Sequence, residues 1–176
     1  MVGIVVYFSR AGSNWVNDGV KNLEVGNGEI LAKYIQEQTG ADIFRIQTKH
    51  KYTDEYYKAT DEAKEELHNN IRPELMEYPD DFDKYDTIYL VYPIWWGTCP
   101  MAIFSFLEKY DLTNKTIVPF CSHEGSGVSN SISDIKKSTT NAEVKNAYAT
   151  RGYRCQNLNN DKNMQQEINE FLQNNY

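Results

Sequence analysis

Three nearly unbroken apolar runs, each ending in a turn of small and polar residues, restrict the fold of this chain more than any other feature. Val2 to Phe8 is β-branched and almost continuously apolar, Asp86 to Tyr92 repeats the character, and Thr116 to Cys121 supplies it a third time. A strand with one wet face alternates apolar and polar residues, so runs of this kind predict strands buried on both faces, as in a parallel sheet. Ser9 to Ser13 breaks the first run, Pro93 ends the second and Ser122 to Gly127 follows the third.

Helical patterns lie between the runs. Ile30, Leu31, Tyr34 and Ile35 share one face from Glu29 onward, with Asn27 as the expected N-cap and Gly40 as the stop. Asp42 to Ile46 reads as a strand and Asp54 to Asn69 as a charged, solvated helix. Pro100 opens a helix bearing Ile103, Phe104 and Leu107; Val128, Ile132 and Ile135 mark another. A weaker strand near Lys145 to Thr150 and an amphipathic helix with Met164, Ile168, Phe171 and Leu172 close the chain. Strands alternating with helices imply right-handed crossovers and an open α/β sheet covered on both faces. With 176 residues, 40% of them hydrophobic, the chain suits one domain spanning 1–176.

The formal net charge of −7 argues against a nucleic-acid surface, which needs clustered Lys and Arg. An acidic surface suits basic protein partners, although solubility alone also accounts for it. No stretch approaches the roughly 18 apolar residues that cross a bilayer, and Met1 to Phe8 lacks the cationic start of a secretory signal, so a cytoplasmic protein without membrane association is expected. Cys99, Cys121 and Cys155 have neither C-x-x-C nor Cys/His metal spacing, so reduced thiols and no metal are expected.

In doubly wound sheets ligands sit beyond the carboxyl ends of the strands, which directs attention to the three turns. The first, Ser9-Arg10-Ala11-Gly12-Ser13-Asn14, offers hydroxyls, an amide and flexible backbone suited to a phosphate, or is an ordinary polar loop with Arg10 in solvent. The second, Tyr92 to Thr98, places Trp95 and Trp96 in a segment expected at the surface, which suggests stacking on a planar ligand, with one indole closing the local core. The third, Ser122-His123-Glu124-Gly125-Ser126-Gly127, can lay its backbone against a ring edge; His123 by itself reads more readily as a solvated loop residue.

These segments, YFSRAGS, YPIWWGTCPMAIFSFLE and FCSHEGSGVSNSI, together resemble the flavodoxins and flavodoxin-like FMN proteins over the whole chain, and in particular a bacterial branch with an additional segment, here Trp15 to Gly26. The resemblance implies a three-layer α/β/α sandwich around a five-stranded parallel sheet of order 2-1-3-4-5. It implies FMN, its phosphate cradled by Ser9, Ala11, Gly12, Ser13 and Asn14, with help from the helix start at Asn27, Gly28 and Glu29. Pro93, Ile94, Trp95, Trp96, Gly97 and Thr98 would flank the ribityl chain and one ring face, with Ser122, His123, Glu124, Gly125 and Gly127 on the other side. A carbonyl near Gly97 would accept a hydrogen bond from a protonated flavin N5. Ala11 stands where this family usually has threonine. The flavin would carry the redox chemistry, with no catalytic side chain assigned. The implied role is electron carriage between redox partner proteins by a monomer or weak dimer; an NAD(P)H-dependent quinone or flavin reductase, its pocket shaped by Trp15 or His123, is the alternative, and a chain that keeps the fold without the flavin is a third.

Overall fold

The computed structural model describes residues 1–175. The three apolar runs form the centre of the sheet as β1 (Gly3–Tyr7), β5 (Thr87–Pro93) and β6 (Thr116–His123). Between the first two lie the hairpin β2 (Gly12–Val16) and β3 (Gly19–Leu23), α1 (Asn27–Thr39), β4 (Asp42–Arg45), α2 (Tyr56–His68) and a single 3-10 turn, Phe82–Lys84. Then come α3 (Met101–Leu107), α4 (Ser131–Ser138), the short strands β7 (Glu143–Val144) and β8 (Tyr148–Arg151), α5 (Gly152–Gln156) and α6 (Lys162–Asn174).

Side chains alternate across the sheet, which is why continuous apolar runs are needed. Ile4, Val6 and Phe8 join Ile88, Leu90 and Tyr92 in a core beneath α3, whereas Val5, Tyr7, Tyr89 and Val91 face Leu31 and Ile35 of α1 and Met164, Ile168 and Leu172 of α6. Residues such as Leu31, Ile35 and Ile168 are wholly buried, each stabilising the fold by roughly 1.5–3 kcal/mol relative to exposure. All strand pairs of this main sheet are parallel.

The order along the sheet is β4-β1-β5-β6-β7, with β8 also on β6, making six strands rather than the expected five in order 2-1-3-4-5. One cause is the hairpin, which takes the second and third places in the chain but forms a separate antiparallel sheet. Set aside, it leaves the first four parallel strands in the expected arrangement. The other cause is that the last strand is interrupted: β7 pairs with Thr116 and Ile117 at the start of β6, and β8 with Phe120 to His123 at its end. An interrupted edge also blunts pairing with other chains.

Helix boundaries follow their caps. Gly26, not Asn27, is the N-cap of α1, and Gly40 closes it in the left-handed conformation at φ 67. α2 starts at Tyr56 because the Glu55 carboxylate accepts the N–H groups of Tyr57 and Lys58. No described helix is long and apolar enough to cross a membrane.

Candidate functional site

The carboxyl ends of β1, β5 and β6 open on a common cleft, and its first element departs from the sequence expectation. After Ser9 and Arg10 the chain leaves as the β2–β3 hairpin and returns at Gly26, so the two ends of the excursion meet. A Cβ at Gly26 would overlap Ser9 Oγ and lie 2.8 Å from the Arg10 carbonyl oxygen; one at Gly28 would lie 2.5 Å from the Phe8 carbonyl oxygen. Only glycines allow α1 to start against the end of β1. Its N-terminus has no side-chain cap, and beside it Ser9 Oγ is buried without a hydrogen-bond partner. An uncapped helix start with a spare hydroxyl is the donor set that an anionic group needs. Glu29 is taken up by Lys33 Nζ at 2.6 Å and Arg45 Nη1 at 3.3 Å, which compensates its charge near that end.

Ala11, Gly12, Ser13 and Asn14 therefore do not form a strand-to-helix cradle. Gly12, Ser13 and Asn14 are paired in β2 with Leu23, Asn22 and Lys21. Asn14 Nδ2 donates to the carbonyls of Arg10 and Gly12, at 3.0 and 3.2 Å. Arg10 turns inward rather than to solvent: its guanidinium donates to the carbonyls of Ser13 and Thr53, and burial lowers its pKa. Of the five residues expected at the phosphate, Ser9 is the one beside the α1 start.

The cleft has a volume of about 530 Å3, within the range of small-molecule sites. From the expected set it brings together Asn14, Pro93, Ile94, Trp95, Trp96 and Gly97 with Ser122, His123 and Glu124. Ser9, Thr98, Gly125 and Gly127 are not part of this lining: Ser9 and Thr98 are buried, and Gly125 is exposed. The two tryptophans differ in packing and exposure. Trp95 packs edge-on against Phe8 and Tyr52, at ring distances of 5.1 and 5.3 Å, and closes the core. Trp96 is 49% exposed, with its indole N–H donated to the Thr60 carbonyl at 2.8 Å and Lys64 Nζ 5.0 Å from its ring centre. The Gly97 carbonyl accepts the Asn130 N–H at 2.8 Å, which ties the turn to the segment entering α4.

Sequence reasoning missed the wall supplied by α2. Tyr56, Ala59, Thr60 and Ala63 line the cleft at helical spacings of three and four, joined by Trp15 from the hairpin, whose ring lies 6.2 Å from that of Tyr56. Two alanines on one face of an otherwise charged helix were the available signal.

At the end of β6, His123 Nδ1 accepts the Gly125 N–H at 2.9 Å, which fixes the proton of the neutral ring on Nε2. Burial, then the Arg151 charge, lowers its pKa. Glu124 accepts the N–H of Asn17, at the hairpin tip, at 3.0 Å; burial raises its pKa, opposed by that bond and by Arg151.

A doubly wound parallel sheet with an aromatic-walled cleft at its carboxyl edge, which Asn27 at the start of α1 also lines, is the arrangement in which open α/β proteins place their ligand crevices. The chain belongs to the flavodoxin family, whose family model matches residues 4–174. It resembles a protein of Bacteroides eggerthii DSM 20697 provisionally described as a flavoprotein, with 24% identity and a TM-score of 0.70, over 89% of this chain and 94% of that one. A flavoprotein of Lactobacillus acidophilus NCFM in complex with FMN aligns at 16% identity and a TM-score of 0.64, over 89% and 97% of the two chains. The apo form of an NADH:FMN oxidoreductase aligns at 12% identity and 0.56, over 99% and 88%. No curated protein sequence matches the chain.

Proposed function

We propose that this chain binds one FMN non-covalently in the cleft and transfers electrons between redox partners. The observation that carries the reading is the meeting of the uncapped α1 N-terminus with the unpartnered Ser9 Oγ beside an aromatic-walled cleft. Family membership and the FMN complex of the Lactobacillus relative support the choice of cofactor.

Ser9 Oγ and the first N–H groups of α1 would hold the phosphate, whose charge the helix dipole favours. Trp96 would cover one face of the ring system, pre-oriented by its bond to Thr60. Ser122 and His123, which also line the cleft, would lie on the other side of the ring, His123 offering an Nε2 proton. When bound, FMN supplies the reversible uptake of electrons. The net charge of −7 supports docking on basic partners.

The test is to release the ligand of the purified protein by heat and chromatograph it. FMN is expected, with the apoprotein rebinding it below about 1 μM, equivalent to about 8 kcal/mol; recovery of FAD, or no rebinding, overturns the reading. A second reading, NAD(P)H-dependent reduction of a quinone or flavin, is favoured by the wall of Trp15, Tyr56 and Tyr57 facing the cleft from outside the sheet, which could cover a second planar ring. Oxidation of NADH or NADPH with a quinone at about 10 per second, a median enzyme rate, would select it over carriage.

A further inference from the structure

The segment from Trp95 to Thr98 is a two-residue hairpin closed by Trp95 N–H to Thr98 carbonyl at 2.8 Å and Thr98 N–H to Trp95 carbonyl at 3.2 Å. Its central residues, Trp96 and Gly97, have φ of 51 and 78, the double left-handed pattern of a type I′ turn. Glycine accepts that conformation freely, but a bulky L-residue resists it by about 1–2 kcal/mol. Such a residue persists only where its surroundings over-determine it. Two helices do so here. From α2, the Thr60 carbonyl takes the Trp96 indole N–H and Lys64 lies over the ring. From α4 and the residues entering it, Asn130 N–H binds the Gly97 carbonyl, and Asp134 Oδ2 accepts the Thr98 hydroxyl at 2.7 Å. Behind them the Tyr92 hydroxyl donates to Ser131 Oγ at 3.0 Å, tying the end of β5 to the same helix.

We propose that Asp134, which does not line the cleft, is a positioning residue: through Thr98 it latches the strained turn onto α4 and so fixes Trp96 in its ligand-facing conformation. Loss of the latch frees the turn's C-terminal arm, and Trp96 relaxes out of the left-handed region. The part of the proposal that concerns FMN rests on the reading above; the latch itself does not.

The experiment compares Asp134→Ala, Asp134→Asn and Thr98→Val with the native protein. In the apoprotein, hydrogen exchange of the Trp96 indole N–H is followed by NMR, its resonance assigned by Trp96→Phe. Exchange should rise about tenfold in Asp134→Ala and Thr98→Val, the scale of losing one hydrogen bond to a charged group, and remain near native in Asp134→Asn, which keeps an acceptor. The FMN dissociation constant, measured on the same proteins, should rise in step. Should Asp134→Ala fail to fold, the near-isosteric Thr98→Val decides. Native exchange in both disruptive variants overturns the latch; raised exchange with unchanged FMN affinity overturns its role in positioning. If native protein binds no FMN, the cofactor reading fails, while the indole exchange still judges the latch.

Discussion

Gly26→Ala isolates the contact on which the phosphate end of the site depends. Gly26 has φ −68 and ψ 154, a conformation alanine adopts without strain, so the substitution acts through space alone. The new methyl would overlap Ser9 Oγ and lie 2.8 Å from the Arg10 carbonyl oxygen and 2.9 Å from its carbon. Ordinary contact requires well over 3 Å, and the obstructing atoms include backbone, so α1 must move off β1 by something near 1 Å. Overpacking of this size costs about 1–3 kcal/mol, a fall in melting temperature of about 2–4 °C per kcal/mol for a chain this long. Ligand affinity should fall further, by tenfold or more, because the helix start and Ser9 would no longer converge. Two other glycines serve as controls on the hairpin. Gly19→Ala meets nothing within 4 Å and has no positive φ, so neither stability nor affinity should change. Gly12→Ala also meets nothing but sits at φ 82, so it should lose about 1 kcal/mol of stability with little effect on FMN. Thermal melts and FMN titration of the three variants check the order. Native affinity in Gly26→Ala would refute the claim that the α1 start binds the phosphate.

The tryptophans should separate cleanly: Trp95→Ala, which opens a hole beside Phe8 and Tyr52, should destabilise the apoprotein by about 3 kcal/mol. Trp96→Gly should leave it as stable or slightly more so, through relief of the left-handed strain at φ 51, while weakening FMN about fivefold, as loss of an aromatic contact worth about 1 kcal/mol implies; unchanged flavin fluorescence quenching and affinity would sink the stacking role. His123 has a folded pKa below its ordinary 6.5, so the unfolded chain binds the proton more readily; stability should be fully present above 6.5 and fall as pH drops toward the lowered folded value. His123→Asn, which keeps an acceptor for Gly125, should flatten that part of a melting-temperature profile taken from about pH 5 to pH 8. Electron exchange with a basic redox protein should slow steeply with added salt, since surface charges are screened over about 10 Å at 0.1 M; salt-independent exchange would count against electrostatic docking.

The central sheet was legible because burial on both faces leaves an unmistakable trace, the continuous apolar runs of Val2 to Phe8, Asp86 to Tyr92 and Thr116 to Cys121. Strands supported on one side only left less. Lys145 to Thr150 reads as a single weak strand because the residues that leave the ladder between β7 and β8 differ little in polarity from those that pair. The hairpin had a local signature that the turn-based reading passed over: Asn17-Asp18, followed by Gly19, joins β2 to β3, with Asn17 in the left-handed region at φ 61. Read as a hairpin, the sequence from Gly12 to Leu23 would have placed Gly12, Ser13 and Asn14 in a paired strand rather than in a strand-to-helix turn.

What the sequence could not supply was the closing of that excursion. A phosphate site made from a strand end and a helix start needs the two to touch, and composition around either one alone does not reveal contact across sixteen intervening residues, Arg10 to Val25. The decisive residues are Gly26 and Gly28, whose missing side chains are what the backbone of Phe8 to Arg10 occupies. In sequence Gly26 ends the additional segment and Gly28 belongs to the helix start; in space they set the separation of α1 from β1, and glycine's freedom of φ is not used at Gly26. The insertion enters and leaves at points already in contact, so a twelve-residue hairpin from Gly12 to Leu23 adds a wall bearing Trp15 without displacing the helix start from Ser9. A longer or differently folded segment between Arg10 and Gly26 should be tolerated on the same ground, provided that both glycines and Ser9 are kept.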